Sequence, residues 1–78
     1  MTGEPQEGLL FTFETTHLAL WAEDTAHEHG IPVDVVPAPA EARAKCGIAL
    51  RTLPARADEL ASALRGEGIT FGTFMPAR

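Results

Sequence analysis

Apolar and polar residues alternate in two short segments of the chain. The first contains Leu9, Phe11 and Phe13 at every second position, and the other contains Ile48 and Leu50 in the same arrangement. A period of two is the pattern of a strand that buries one face. Each segment therefore predicts a strand whose apolar residues face a core.

Two further segments have the composition of strands. The segment Ile31–Val36 is rich in β-branched residues but contains Pro32, which cannot donate a hydrogen bond to a neighbouring strand. We therefore predict an edge strand there. The segment Ile69–Met75 contains two phenylalanines and an isoleucine and predicts the last strand.

Helical periodicity separates these strands. Thr15 or Thr16 can cap the first helix, and Gly30 suits its C-terminal end. Pro54 suits the first turn of the second helix, which ends near Gly66. The apolar positions expected to face the core are Ala19, Ala22 and Ala26 in the first helix and Ala57, Leu60, Ala61 and Leu64 in the second. Alanine-rich residues before Cys46 predict a further short helix.

The resulting order is βαββαβ, which is typical of the ferredoxin-like α+β fold: a four-stranded antiparallel sheet with two helices on one face. We expect residues 8–78 to form a single domain and residues 1–7 to be a flexible tail. The face without helices is expected to include Leu10, Thr12, Asp34, Val36, Ala49, Arg51, Gly72 and Phe74. This mixed surface could bind a partner or a second copy of the chain.

Composition narrows the classes of function. The 78 residues carry a net charge of -5, which disfavours binding to nucleic acid and to anionic membranes. No apolar run approaches the roughly 20 residues that span a bilayer, and residues 1–7 lack the features of a secretory signal, so we expect a cytoplasmic protein. A core this small would benefit from a homodimer.

Cys46 is the only cysteine, so any thiol chemistry of this protein must use its sulfur. Lys45 and Arg43 could stabilise its thiolate, and Gly47 leaves space beside the sulfur. Two features argue for a plain buried residue. If a helix ended at Cys46, the negative end of its dipole would disfavour a thiolate there. If the strand began early, Cys46 would lie on the same face as the inward residues of that strand, because side chains alternate along a strand. The residues alone leave both interpretations open.

The remaining candidates give weaker signals. His27 and His29 diverge on a helix, so we predict no metal site. His17 lies at the start of the first helix, where it could approach a ligand, although an ordinary polar helix terminus explains it equally well. Trp21 is off the alanine stripe, and we expect it to be partly buried or to mark a contact surface. The sequence contains no glycine-rich phosphate-binding loop and no cysteine–histidine pair at a family-specific spacing. It therefore does not indicate a self-sufficient enzyme.

Several short motifs occur together in an order that resembles a known family of small bacterial domains, called putative selenium/sulfur carrier protein-like. They are Phe11-Thr12-Phe13, Ile31-Pro32-Val33, Pro37-Ala38-Pro39, Cys46-Gly47-Ile48-Ala49-Leu50-Arg51 and Gly68-Ile69. The likeness covers about residues 8 to 75.

The resemblance implies that Cys46 carries sulfur or selenium as a persulfide or perselenide, with Lys45, Gly47 and Arg43 shaping its surroundings. It also implies two protein partners, a donor such as a cysteine desulfurase and an acceptor, and no bound cofactor. A carrier or accessory protein is thus favoured over an enzyme. The alternative is a non-catalytic interaction or regulatory module that binds a partner or itself through the face without helices.

Overall fold

The structure, a computed structural model, describes residues 8–40 and 45–75. These residues form four strands and two helices in the order βαββαβ. The elements are β1 (Leu9–Thr12), α1 (Thr16–Glu28), β2 (Asp34–Pro37), β3 (Ile48–Thr52), α2 (Pro54–Gly66) and β4 (Gly72–Phe74). The tail predicted for residues 1–7 and most of the short helix predicted before Cys46 lie outside the described residues.

The four strands form one antiparallel sheet in the order β2-β3-β1-β4. The ferredoxin-like α+β architecture is therefore confirmed. The central strands β1 and β3 pair with Leu9 opposite Thr52 and Thr12 opposite Ala49. This register brings the end of β1 beside the beginning of β3, where Cys46 is located. The strand β2 lies at an edge, as Pro32 predicted.

Both helices end in the same way, and this shortens the strands that follow them. The backbone amide of Ile31 donates to the carbonyl of Ala26 at 2.9 Å, and that of Ile69 donates to Leu64 at 3.0 Å. The preceding glycines have φ angles of 69° at Gly30 and 78° at Gly68, which completes a Schellman-type cap. Ile31 and Ile69 thus belong to helix caps, so β2 begins at Asp34 and β4 at Gly72, later than predicted.

The helix starts follow the sequence closely. Thr15 caps α1, and its hydroxyl accepts a hydrogen bond from the amide of Leu18 at 3.1 Å. Pro54 begins α2, where its missing N–H costs nothing. In the first turn of α2, Arg56 donates to Glu59 at 2.7 Å. This contact lowers the pKa of Glu59, through the hydrogen bond first and the charge of Arg56 in addition.

The core lies between the helices and one face of the sheet. Its buried residues are Phe11, Phe13, Ala19, Ala22, Ala26, Ile31, Cys46, Leu50, Ala57, Leu60, Leu64 and Ile69. The alternation predicted for β1 and β3 and the apolar stripes of both helices are confirmed by this set together with Leu9, Ile48 and Ala61, which are partly buried and packed against it. Val35 shares the face of Leu50 but is 44% exposed, because the edge strand extends beyond the cover of the helices.

We call the opposite side of the sheet the helix-free face. It carries the eight residues predicted for it, because residues that pair directly across neighbouring strands point to the same side of the sheet. It is only partly open. Leu10 and Ala49 are buried, whereas Arg51 and Phe74 are half-buried. Arg51 donates to Asp34 at 3.1 Å, so an ion pair crosses from β3 to β2 on this face.

Candidate functional site

Cys46 lies two residues before β3 and is held against the connection between β1 and α1. Its backbone amide donates to the carbonyl of Phe13 at 3.2 Å. Its Sγ lies 3.6 Å from Oγ1 of Thr16, within hydrogen-bonding distance for sulfur. The site therefore joins two parts of the chain that are thirty residues apart in sequence.

The thiol is buried. Cys46 is 3% exposed and belongs to the hydrophobic core. The sequence left open whether this residue would be exposed or would face inward with Ile48 and Leu50. The structure places it inward, although β3 itself begins only at Ile48. Reagents in solvent can thus reach the sulfur only after the covering residues have moved.

Lys45, one of the two cations expected to shape the surroundings of the sulfur, forms an ion pair with the connection between β1 and α1. Lys45 is exposed, and its Nζ lies 3.7 Å from Oε1 of Glu14, which belongs to the connection between β1 and α1. The described ion pair of Lys45 is therefore with a carboxylate on the protein surface. Arg43 lies outside the described residues, so its contribution stays a prediction.

Gly47 continues the same short connection into β3. The chain bends through residues 45–47, but Gly47 does not have the left-handed backbone found at Gly30 and Gly68. A Cβ added to Gly47 would meet no described atom within 4 Å. Its carbonyl accepts a hydrogen bond from the amide of Ala38 at 3.0 Å. The bend at this position therefore does not depend on glycine.

The first turn of α1 lies beside the sulfur, which the sequence did not predict. Thr16 is the first residue of α1, and its hydroxyl approaches Sγ of Cys46. The N-terminal turn of a helix favours negative charge, because its amide groups are not used by helical carbonyls. The antiparallel pairing of β1 with β3 brings Thr16 close to Cys46, and this pairing could have been used to predict the contact.

The three histidines are exposed and separate from Cys46 in the described contacts. His17 lies in the first turn of α1, His27 in its last turn, and His29 is its C-terminal cap residue. Within residues 8–40 and 45–75, no group of three or more histidine, cysteine or acidic side chains is close enough to hold a metal ion. In the same residues, no helix is long and apolar enough to cross a membrane.

The fold and the site define a class of protein: a ferredoxin-like α+β domain with a single thiol at the junction of β1, α1 and β3. Residues 8–76 match the family described as Putative Se/S carrier protein-like, and the chain belongs to that family. The matched region includes Cys46 and all six described elements. No curated protein and no solved structure matches the chain.

Proposed function

We propose that this protein carries sulfur or selenium on Cys46 between a donor enzyme and an acceptor protein. The observation that carries the proposal is family membership: the match over residues 8–76 includes the only thiol of the chain. A carrier needs one nucleophile that can bind and release the chalcogen. Cys46 is the residue of this sequence with that chemistry.

The transfer is an exchange at divalent sulfur. The thiolate of Cys46 attacks the terminal sulfur of a persulfide on the donor, and a new S–S bond forms at Cys46. The S–S bond of the donor breaks, and its thiolate leaves with the electron pair. A nucleophile of the acceptor then attacks the terminal sulfur on Cys46 and releases the Cys46 thiolate. Selenium would follow the same steps, and neither step needs an external oxidant.

The position of Cys46 beside α1 supports this chemistry. The sulfur of Cys46 is negatively charged at both steps, as the attacking thiolate during loading and as the leaving thiolate during release, and the first turn of a helix favours negative charge. The hydroxyl of Thr16, 3.6 Å from Sγ, can donate a hydrogen bond to such a sulfur. The neighbourhood is therefore suited to an anionic sulfur once it forms.

Burial of the sulfur sets a condition on the proposal. The described polar contacts that hold residues 45 and 46 to the β1–α1 connection are one backbone hydrogen bond at 3.2 Å, the sulfur–hydroxyl contact at 3.6 Å and an exposed ion pair at 3.7 Å. Exposed ion pairs contribute little to stability. We therefore expect this segment to open locally when the donor is bound, and its closed form to shield the thiol from oxidants.

The decisive experiment is intact-mass measurement of protein incubated with a cysteine desulfurase and cysteine. Wild type should gain the mass of one sulfur atom, and a reductant should remove it. Cys46→Ala should gain nothing under the same conditions. A wild-type protein that gains no sulfur, or a gain that persists in Cys46→Ala, would refute the carrier function.

A second function is favoured by one specific observation, the burial of Cys46 in the core at 3% exposure. In this alternative the thiol has no chemical role, and the domain is an interaction module that uses its helix-free face. Replacing Arg51 or Phe74 would then impair association with a partner or a second copy, while Cys46→Ser would have no effect on it. The carrier function therefore requires Cys46, whereas the interaction module does not.

A further inference from the structure

The surface of α1 carries an exposed apolar patch with a polar rim. Leu20 is 50% exposed and Trp21 is 40% exposed. Together with His17 and Asp24 they line a shallow depression on the side of α1 that faces solvent. Large apolar residues exposed side by side, with polar groups at their border, are typical of contact surfaces. We call these four residues the α1 patch.

The α1 patch lies close to the thiol. Leu20 is four residues after Thr16, so the two side chains are neighbours on the helix surface, with about 5–6 Å between their Cβ atoms. Thr16 in turn approaches the sulfur of Cys46. A protein seated on the α1 patch would therefore lie about one helical turn from the residue that contacts the sulfur.

The charge around the α1 patch indicates what kind of surface it would accept. The helix α1 contains Glu23, Asp24 and Glu28 but no lysine or arginine, and the whole chain has a net charge of -5. A second copy of the chain would bring the same acidic helix to the contact, which like charges disfavour. A surface with lysine or arginine residues around an apolar side chain complements it.

We propose that the α1 patch is the docking site for the donor protein that delivers sulfur or selenium to Cys46, and that this donor presents an apolar side chain flanked by basic residues. The proposal rests on the carrier function of Cys46. Docking beside the N-terminal turn of α1 places the partner at the segment that must open, so binding and exposure of the thiol are coupled.

The test uses the full chain with a cysteine desulfurase and cysteine, and it measures the initial rate at which Cys46 gains sulfur. Trp21→Ala should lower this rate at least about tenfold, as expected for an aromatic residue at the centre of an interface. Asp24→Lys should lower it roughly fivefold, and the wild-type rate should fall as salt is added.

Matched variants control for loss of apolar surface and for change of charge. Leu53→Ala removes a leucine that is 53% exposed. This residue follows the C-terminal end of β3, about 16 Å along the strand from Ile48. Asp58→Lys makes the same charge reversal on α2. Both should load sulfur at the wild-type rate. Alkylation of Cys46 by iodoacetamide should be the same in all four variants as in wild type, because that small reagent does not dock.

Trp21 is the only tryptophan, so its emission reports directly on the α1 patch. Addition of the desulfurase should shift the emission to shorter wavelength, and in Asp24→Lys a higher concentration of desulfurase should be needed for the same shift.

If wild type gains sulfur while Trp21→Ala and Asp24→Lys load as fast as wild type, the docking site is wrong and the carrier function stands. If wild type gains none, the carrier function itself fails. An emission shift that depends on the concentration of the chain alone would show that a second copy covers the patch, and would overturn the proposal.

Discussion

The two ends of β3 are held in different ways. At its C-terminal end, the buried hydroxyl of Thr52 donates to the carbonyl of Pro32 at 3.0 Å, and Arg51 donates to Asp34 at 3.1 Å. At the other end, Cys46 has a sulfur contact at 3.6 Å, and Lys45 has an ion pair at 3.7 Å. The side-chain contacts are therefore shorter at the end away from the thiol.

This difference separates the demands of folding from those of the proposed chemistry. The C-terminal end of β3 leads directly into α2 and fixes how the second half of the domain joins the sheet. The N-terminal end has to protect a thiol and also to release it. The more exposed ion pair and the weak sulfur–hydroxyl contact at that end are compatible with a segment that opens locally.

The largest effect should come from removing the aromatic side chain next to Cys46. Phe13 is 3% exposed, and Phe13→Ala should lower the free energy of unfolding by about 3–5 kcal/mol, since it leaves a cavity in the core. That is a large part of the stability of a small domain. Chemical denaturation measures it. Ile31→Ala, near the opposite end of β3, is the counterpart, and a greater loss there than for Phe13→Ala would contradict the prediction.

The second prediction concerns how the thiol becomes accessible. In the native protein, Cys46 should be alkylated at least about tenfold faster than it would be if only global unfolding exposed the thiol. The reason is that local opening needs less free energy than global unfolding. The rate should also change little with denaturant below the unfolding transition, since little surface is exposed. Alkylation kinetics at increasing urea concentrations measure both properties.

A cysteine at the other end of β3 provides the matched control. Thr52 is 3% exposed, so Thr52→Cys in a Cys46→Ser background places the only thiol at the more firmly held end. Its alkylation should follow global unfolding, after correction for the stability of the variant. Equal protection of the two thiols would remove the distinction between the two ends.

A smaller effect is expected from the hydroxyl groups at the two ends. Thr52→Val removes the donor to Pro32 and should destabilise the protein by about 1–2 kcal/mol, because a buried hydrogen bond is lost. Thr16→Val removes only the contact with sulfur at an exposed position and should change stability by about 0.5 kcal/mol or less. Thermal denaturation of both variants tests this order, and the reverse order would contradict it.

The smallest effect should appear at acidic pH in α2. The hydrogen bond from Arg56 lowers the pKa of Glu59 in the folded protein. Its contribution to stability is therefore present above the pKa of the unfolded state, about 4.3, and is lost as pH falls through the lower folded value. Glu59→Gln should make stability slightly less dependent on pH between about 6 and 3.

Thermal midpoints across that pH range measure this effect. Arg56→Gln removes the cause of the shift and should flatten the pH profile in the same way. Parallel profiles for wild type and both variants would show that the contact between Arg56 and Glu59 does not contribute to acid sensitivity.

The sequence predicted most of the fold because each pattern reported on local structure. The alternation in β3, the cap at Thr15 and the proline at the start of α2 all depend on neighbouring residues. The starts of β2 and β4 were placed too early, since Ile31 and Ile69 look like strand residues but complete helix caps. Local backbone hydrogen bonds of the two helix caps, each between residues five apart, set those two boundaries.

The surroundings of Cys46 were less accessible to prediction. The local sequence drew attention to Lys45 and to a helix before the cysteine, whereas the described neighbours are Phe13 and Thr16 from the first quarter of the chain. Nothing near Lys45 in sequence identifies Glu14 as its partner. Such contacts follow from the pairing of β1 with β3, so they become predictable only after the topology is known.

The strand order also has a consequence for the newly synthesised chain. Ribosomes deliver Cys46 well before Leu60 and Leu64, which help to enclose the core, and before β4, which pairs with β1. Until those residues have emerged, the thiol meets the surrounding solution without its cover. The shield around this thiol is therefore completed only by residues that are synthesised after it, Leu60, Leu64 and β4 among them.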